Sequence, residues 1–174
     1  MSATIRRAAP ADAAVLAELG AATFVEAFGH LYTPDDLRAF LDDSHSVAAY
    51  AAVLSDPGYA LWIADDADGR AIGYAQAGRC GLPHADVRPE DGELKRLYVR
   101  AGTQNAGTGR ALMDAAMAWL LRDGPRTLWI SVWSENPGAQ RFYGRYGFTF
   151  AGEYEFIVGA QRDREFIYRR PGQA

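Results

Sequence analysis

Residues 104–110, QNAGTGR, combine two glycines with small polar side chains in a pattern that suits phosphate binding. They follow the apolar segment ELKRLYV and precede the helical pattern ALMDAAMAWLL. The first turn of a helix leaves backbone N–H groups without partners and carries partial positive charge. Glycine has no Cβ, so a ligand can approach the backbone closely there. The segment predicts a diphosphate site built from Gln104, Asn105, Ala106, Gly107, Thr108, Gly109 and Arg110.

Two common nucleotide-binding loops do not fit this pattern. A Walker A loop ends in Gly-Lys-Ser/Thr, whereas here Gly109 is followed by Arg110 and Ala111. The dinucleotide-binding fingerprint needs a third glycine where this chain has Leu112. A tight turn at a helix start that binds nothing would explain the same residues. The loop alone therefore does not decide between a ligand site and a turn.

Other residue types that could do chemistry give weaker signals. His30, His45 and His84 lack a close metal-ligand spacing and Cys80 adds no ligand, so we expect no metal site. A single cysteine excludes an internal disulfide and is compatible with the reducing cytoplasm, where we expect the protein to be. The strand and helix patterns place all the tryptophans in the core: Trp62, Trp119, Trp129 and Trp133.

The composition is that of an ordinary globular domain. The chain has 174 residues, 49% hydrophobic and 23% charged, and we expect one domain over residues 1–170 with a short tail at 171–174. We expect no signal peptide, and no segment long enough to span a membrane. The net charge of −4 argues against nucleic-acid binding and leaves room for a cationic substrate.

The first third of the chain predicts a short strand and three helices. TIRRAAP is the strand, stopped by Pro10, and the helices are in PADAAVLAELGAATFVEAF, TPDDLRAFLDD and SVAAYAAVLSDPG, the last ended by Pro57 and Gly58. In the first helix we expect Asp12 to be the N-cap. We expect its core-facing stripe to contain Val15, Leu19 and Ala22, with Glu26 as a polar end.

The rest of the chain predicts a mixed sheet. YALWIADD and AIGYAQAGR form one hairpin, and FTFAGEYEFIV pairs with REFIYRR in another. Between the hairpins, ELKRLYV, a glycine-started helix and TLWISVW form a strand–helix–strand unit, which implies parallel strands and a right-handed crossover. The predicted fold class is therefore α/β, a mixed sheet with helices on its faces.

A second motif follows the strand TLWISVW. It is NPGAQRFYGRYGF, residues 136–148, and with LYV and QNAGTG it resembles the two cofactor motifs of the GCN5-related N-acetyltransferase (GNAT) family. That family's first motif, Gln/Arg-x-x-Gly-x-Gly/Ala, is matched by Gln104, Gly107 and Gly109, and the order of elements agrees over essentially the whole chain. TFVEAFGHLYTPDDLRAFL and FIVGAQRDREFIYRR further resemble the Pai-type bacterial spermidine/spermine N-acetyltransferases.

The resemblance implies a fold and a co-substrate. The fold would be a single-domain, mostly antiparallel mixed sheet with a central pair of splayed parallel strands and helices on both faces. The co-substrate would be acetyl-CoA, with its diphosphate on the glycine loop and its pantetheine arm along Leu97, Tyr98 and Val99. Asn136 would hydrogen-bond that arm, although N-capping of the helix that starts at Pro137 explains the asparagine equally well.

The resemblance also implies direct acetyl transfer to a primary amine in a ternary complex. Because a free alkylamine has a pKa of about 10.4, something must remove its proton at neutral pH. Glu93 is the candidate base or relay member, with a solvated strand start as the alternative and Glu90 and Asp91 as weaker candidates. Tyr143 is the candidate acid for the leaving thiolate, and packing beside Phe142 is its alternative.

The acceptor site is the least specific part of the resemblance. Phe24, Phe28 and Tyr32 would line an acceptor pocket, with core packing as the alternative. The expected acceptor is a small amine, with polyamines first; other small amines or a protein N-terminus are alternatives. A CoA-binding regulatory or sensor domain without turnover is the alternative from a different class. The closing hairpin could support a homodimer.

Overall fold

The fold is built on one mixed β-sheet. The computed structural model describes residues 2–103 and 107–172. In these two ranges, seven strands pair in the order β1-β2-β3-β4-β5-β7-β6. The strands are β1 Thr4–Arg7, β2 Ala60–Asp65, β3 Ala71–Arg79, β4 Gly92–Val99, β5 Leu128–Trp133, β6 Thr149–Val158 and β7 Gln161–Arg170. The helices are α1 Ala13–Phe28, α2 Pro34–Ser44, α3 Val47–Ser55, α4 Thr108–Leu120 and α5 Pro137–Gly144.

The pairing confirms the predicted mixed sheet and its two hairpins. Neighbouring strands are antiparallel, except that β4 and β5 are parallel and joined through α4. The parallel ladder joins only Gly92–Leu94 to Leu128–Ile130, although β4 continues to Val99 and β5 to Trp133. The two central strands therefore separate along their outer halves, as the resemblance implied.

Apolar residues cover both faces of the sheet. On one face α4 packs against β1, β2, β3 and β4, and its buried residues are Thr108, Leu112, Met113, Ala116 and Leu120. Residues of β5 belong to the same buried cluster. On the other face α1 and α3 pack over β2 and β3, and the buried cluster includes Leu16, Leu19, Tyr50, Leu61, Ile63 and Tyr74. The middle of the sheet is thus covered on both sides, which holds β4 and β5 in place.

The predicted core stripe of α1 is wrong in part. Val15 is 39% exposed, whereas Leu16 is fully buried, because α1 turns the side of Leu16 and Gly20 toward α3. Asp12 does stand at the N-cap position, but its carboxylate does not cap α1. It instead accepts hydrogen bonds from the backbone N–H of Ala9 and from the Arg6 guanidinium, because a 3-10 turn directly precedes the helix.

One apolar helical segment corrects the expectation about membrane-spanning length. The stretch Pro10–Leu31 has 22 residues and contains an 18-residue window with a mean hydropathy of 1.3, which is long and apolar enough to cross a membrane by length and composition alone. In this fold its Leu16 and Leu19 pack with Ile63 and Tyr74 of the sheet. Such packing is typical of the core helix of a globular domain. The expectation that the protein has no membrane partner stays a prediction.

Candidate active site

The separation of β4 from β5 leaves a groove of about 390 Å³. Its walls are the outer half of β4, the end of β5, α1 and α5. A strand whose neighbour has moved away can pair with an extended ligand that carries amide groups. Several residues that the sequence predicted to bind a cofactor line this groove, namely Leu97, Tyr98, Val99, Asn136 and Tyr143.

Two residues of α5 reach the groove in different ways. The side-chain oxygen of Asn136 accepts a hydrogen bond from Ala139 N–H at 3.0 Å, so Asn136 caps α5 and lines the groove at the same time. Tyr143 lies about two turns further along α5, on the same face as Asn136, and is 9% exposed. Burial raises the pKa of Tyr143 well above its ordinary value, so its phenol is protonated at neutral pH and can donate a proton.

The N-terminus of α4 coincides with the end of the glycine motif. Gly107 is the N-cap with φ +79°, and a Cβ there would meet none of the described residues within 4 Å. A Cβ on Gly109 would come 3.9 Å from Val99, so this end of α4 adjoins the groove. The Thr108 hydroxyl is buried and has no hydrogen-bond partner in the described ranges. Arg110 is largely exposed.

Gln104, Asn105 and Ala106 lie outside the described residues, and their predicted role stays a prediction. The described end of the motif has the properties that anion binding needs, which are free N–H groups at a helix start and space in front of them.

A second cavity, of about 310 Å³, opens beside the groove. The predicted acceptor residues Phe24, Phe28 and Tyr32 line it. Phe24 stacks on Tyr32 with ring centroids 5.9 Å apart, and Phe28 meets Trp133 edge to face at 5.7 Å. The other aromatic rings in its wall are Phe40, Tyr98, Tyr154 and Phe156. Aromatic faces attract ammonium groups and pack against alkyl chains.

Glu93 is part of the cavity wall and is not the solvated residue of the alternative interpretation. It is 6% exposed, and its carboxylate is 2.9 Å from Lys95 Nζ and accepts a hydrogen bond from Gly81 N–H at 2.9 Å. The weaker candidates do not line the cavity. Asp91 accepts a hydrogen bond from Trp129 Nε1 at 2.7 Å, and Glu90 is exposed at the surface.

The structure adds two carboxylates that the sequence prediction missed, Glu165 and Asp163, both on β7. Glu165 lines the cavity and the groove, and its Oε2 accepts a 2.8 Å hydrogen bond from the Ser131 hydroxyl. Ser131 is also 2.9 Å from the hydroxyl of Tyr154. Asp163 is 7% exposed and accepts a 2.7 Å hydrogen bond from the Tyr32 hydroxyl.

The environment of Glu165 makes it a weak acid. Burial raises the pKa of Glu165 to about 7; the hydrogen bond from Ser131 opposes this rise and the negative charge of Asp163 adds to it. The sequence does contain a signal for these residues, since Asp163, Glu165 and Ile167 alternate along one face of β7. That alternation does not show that the face borders a cavity.

Two further residues, Trp133 and Arg96, line both the cavity and the groove. The strand pattern of the sequence had predicted a core position for Trp133. The Arg96 guanidinium donates a hydrogen bond to the Tyr50 hydroxyl at 2.9 Å. In the described part of the chain, no carboxylate lies within 4.0 Å of this guanidinium. His45 lies behind it, and burial and the Arg96 charge lower the pKa of His45 to about 3, so its imidazole is neutral.

The single cysteine is poorly suited to act as a nucleophile. Burial raises the pKa of Cys80 to about 11, so it is a neutral thiol at physiological pH, and the thiolate is the reactive form. Among the described residues, no three His, Cys, Asp or Glu side chains come together as a metal site.

The chain is similar to known acetyltransferases in both sequence and fold. The model of the acetyltransferase (GNAT) family matches residues 22–148. An uncharacterized N-acetyltransferase of Mycobacterium tuberculosis is 35% identical over 91% of this chain and 97% of its own. The aminoglycoside N(6′)-acetyltransferase type 1 of Stenotrophomonas maltophilia is 34% identical over 72% of each chain. The PaiA N-acetyltransferase of Thermoplasma acidophilum, solved with coenzyme A, has a TM-score of 0.76 at 19% identity over 98% of this chain and 99% of its own.

Proposed function

This chain belongs to the GNAT family of acetyltransferases and is an N-acetyltransferase that uses acetyl-CoA, and from this premise we propose that its acceptor is a small primary alkylamine. The observation that carries the proposal is that the aromatic cavity and the groove share a wall, which includes Phe28, Tyr98, Trp133 and Glu165. An amine in the cavity and an acyl donor in the groove would therefore meet at that wall.

The residues of the groove fit acetyl-CoA as the acyl donor. The outer half of β4, from which β5 has separated, offers a backbone edge for an amide-bearing arm, and the start of α4 offers N–H groups for a diphosphate. The buried Thr108 hydroxyl, which lacks a partner in the described ranges, would gain an acceptor there. When bound, acetyl-CoA supplies the activated acetyl group, and the roles of Leu97–Val99 and residues 107–110 in holding it belong to the proposal.

The chain's own residues would serve a direct transfer. Tyr143 lies in the groove as a protonated phenol and would give a proton to the departing sulfur. Cys80, a neutral thiol outside the lining of the groove and the cavity, offers no route through an acyl-enzyme. Direct attack by the amine on the acetyl carbonyl agrees with both observations.

A polyamine is the more specific acceptor that we propose. Asp163 and Glu165 stand two residues apart on the same face of β7, a separation of about 7 Å along a strand. Two carboxylates at that spacing could receive two ammonium groups of one alkyl chain, while aromatic rings surround the chain itself. The aminoglycoside acetyltransferase relative supports an amine acceptor with several positive charges.

The test is thiol release from acetyl-CoA with a panel of amines. We expect turnover with spermidine, and a kcat/KM at least about tenfold lower with n-butylamine, because the second charged contact is worth at least about 1.4 kcal/mol. The variant Asp163→Asn should remove most of this difference. Equal kcat/KM for the two amines would contradict the polyamine proposal and leave the alkylamine proposal standing.

The alternative function is a CoA-binding regulatory or sensor domain. It would be favoured by tight CoA binding in calorimetry without turnover on alkylamines, aminoglycosides or peptides with a free N-terminus. Turnover only on such peptides would favour a protein N-terminus as the acceptor. A cytoplasmic location, a homodimer and the lack of nucleic-acid binding stay predictions.

A further inference from the structure

Glu165 holds a position that the other carboxylates around the site lack. Among the described residues, it is the one carboxylate that lines both the aromatic cavity and the groove. Glu93 and Asp163 line only the cavity, and Glu26 lines only the groove. A group that accepts a proton from the amine must be within reach of the point where amine and acyl donor meet. Glu165 is the carboxylate at that point.

The other three carboxylates are already engaged. Glu93 is 2.9 Å from Lys95 Nζ, and Glu26 is 2.7 Å from the Nε of Arg100. Asp163 accepts hydrogen bonds from a tyrosine and a glutamine at 2.7 and 2.9 Å. Glu165, in contrast, forms no ion pair in the described ranges and accepts one side-chain hydrogen bond, from a neutral hydroxyl. Its second oxygen is thus available to a ligand.

The strands on either side hold Glu165 in place. In the register of the sheet it stands opposite Trp133 of β5 and Tyr154 of β6. The Ser131 hydroxyl, 2.8 Å away, fixes one carboxylate oxygen and is itself held 2.9 Å from the hydroxyl of Tyr154. Titratable and charged groups that share these cavities with Glu165 are Tyr32, His45, Glu93, Lys95, Arg96, Tyr98, Tyr154 and Asp163 from the cavity, and Glu26 and Tyr143 from the groove.

We propose that Glu165 is the catalytic base that removes the proton from the acceptor ammonium, an inference that rests on the amine acetylation proposed above. One proton passes from the ammonium nitrogen to the free carboxylate oxygen of Glu165. The nitrogen lone pair then forms the C–N bond to the acetyl carbon while the C–S bond breaks. The sulfur leaves as a thiol after taking a proton from Tyr143, the second proton of the nitrogen passes through water to restore the Tyr143 phenol, and Glu165 releases the first proton to water. The products are an acetamide and CoA thiol, with one proton returned to water.

The acid–base properties of the site agree with this role. A base works best when its pKa is close to the operating pH, and burial brings the pKa of Glu165 to about 7. The groups around it are consistent with that assignment, because His45 is neutral and Lys95 is paired with Glu93. Glu93, the base predicted from the sequence, would then act in positioning, and the two assignments make different predictions.

The test compares pH profiles of kcat/KM for the full-length enzyme with an alkylamine. For the wild type we expect activity to rise with pH through a midpoint near about pH 7 and then to level off, as Glu165 ionises. For Glu165→Gln we expect a loss of about 10²–10³-fold near neutral pH and a rise that continues toward the amine pKa of about 10.4. Glu155→Gln is the matched control, because Glu155 is exposed on the adjacent strand β6 and pairs with Arg162.

A second readout does not depend on activity. In protein labelled with ¹³C at the glutamate carboxyl groups, a signal that titrates near about pH 7 should be present in the free wild type and in Glu155→Gln, and missing from Glu165→Gln. Calorimetric CoA affinity should be unchanged in all three proteins. A wild-type pH profile in Glu165→Gln, or loss of the profile in Glu93→Gln instead, would overturn the inference while acetyl transfer stands. Absence of turnover on every amine in the wild type would overturn both.

Discussion

The Ser131 hydroxyl on β5 donates a 2.8 Å hydrogen bond to Glu165 on β7, at the wall that the aromatic cavity and the groove share. The two residues are 34 positions apart in the sequence. This bond connects β5, which borders the groove, to β7, which carries the acidic face of the aromatic cavity. It also gives a way to shift the pKa of Glu165 without removing its carboxylate.

Changing the neighbours of Glu165 should move the acid limb of the pH profile in opposite directions. Ser131→Ala removes a hydrogen bond that favours the ionised carboxylate, so the pKa of Glu165 should rise and the limb should move to higher pH. Asp163→Asn removes a neighbouring negative charge, so the pKa should fall and the limb should move lower. Each shift should be up to about one pH unit in kcat/KM profiles. Shifts of the same sign, or none, would contradict this assignment.

The buried carboxyl group should also make stability depend on pH. The pKa of Glu165 rises from 4.5 to about 7 in the folded state, so its contribution to stability is fully present below about pH 4.5 and is lost as pH rises through about 7. Glu165→Gln carries no such charge. Its free energy of unfolding relative to wild type should therefore increase by up to about 3 kcal/mol between about pH 4.5 and pH 8.

Urea unfolding of both proteins at the two pH values measures this difference, with Glu155→Gln as the exposed control. If the free energy of unfolding of Glu165→Gln differs from that of the wild type by the same amount at both pH values, the pKa of Glu165 is not raised in the folded protein.

The glycine at the start of α4 should matter for CoA binding more than for folding. Gly107 has φ +79°, and Gly69 in the β2–β3 turn has φ +78°. In the part of the chain that the structure describes, a Cβ at either glycine would meet nothing within 4 Å. Replacing either by Ala should cost about 1 kcal/mol of stability, since an L-residue is strained in that conformation. Only Gly107→Ala should weaken CoA binding, by about tenfold or more, because it alone narrows the approach to the helix start.

Calorimetric CoA titration and thermal unfolding of the two variants separate these effects. Equal CoA affinity in Gly107→Ala and Gly69→Ala would contradict the diphosphate site. Gly109→Val is a second probe of the same site. Its Cβ would make an ordinary contact with Val99 at 3.9 Å, so the fold should tolerate it while CoA affinity falls.

The proton donor to the departing sulfur should be identifiable on α5. Tyr143→Phe should lower kcat by about 10²–10⁴-fold if the phenol is the acid, with little change in CoA affinity. Tyr146→Phe is the matched control, because the Tyr146 hydroxyl donates a hydrogen bond to the exposed side chain of Asp114. Single-turnover rates of acetyl transfer give the comparison. If the rate of Tyr143→Phe is within about twofold of the wild-type rate, Tyr143 is not the proton donor to the departing sulfur.

Much of the fold could be predicted from local patterns. The strand–helix–strand unit and both hairpins follow from residue types that neighbour one another in the chain. The errors arose where a neighbouring element decides which side of a helix or strand is covered. The predicted stripe of α1 included Val15, but contact with α3 buries Leu16 and Gly20 instead. Trp133 is on a strand pattern, yet β5 ends at a groove.

The sequence by itself determined the elements, the glycine motif at the start of α4 and the family to which the chain belongs, because these depend on residues close together along the chain. The tertiary structure alone decided which carboxylate stands between the two cavities. That outcome depends on where β4 and β5 separate and on the register of β7 against β5, which brings Glu165 opposite Trp133 and beside Ser131. Such register is set by packing across the whole sheet, so no local pattern contains it.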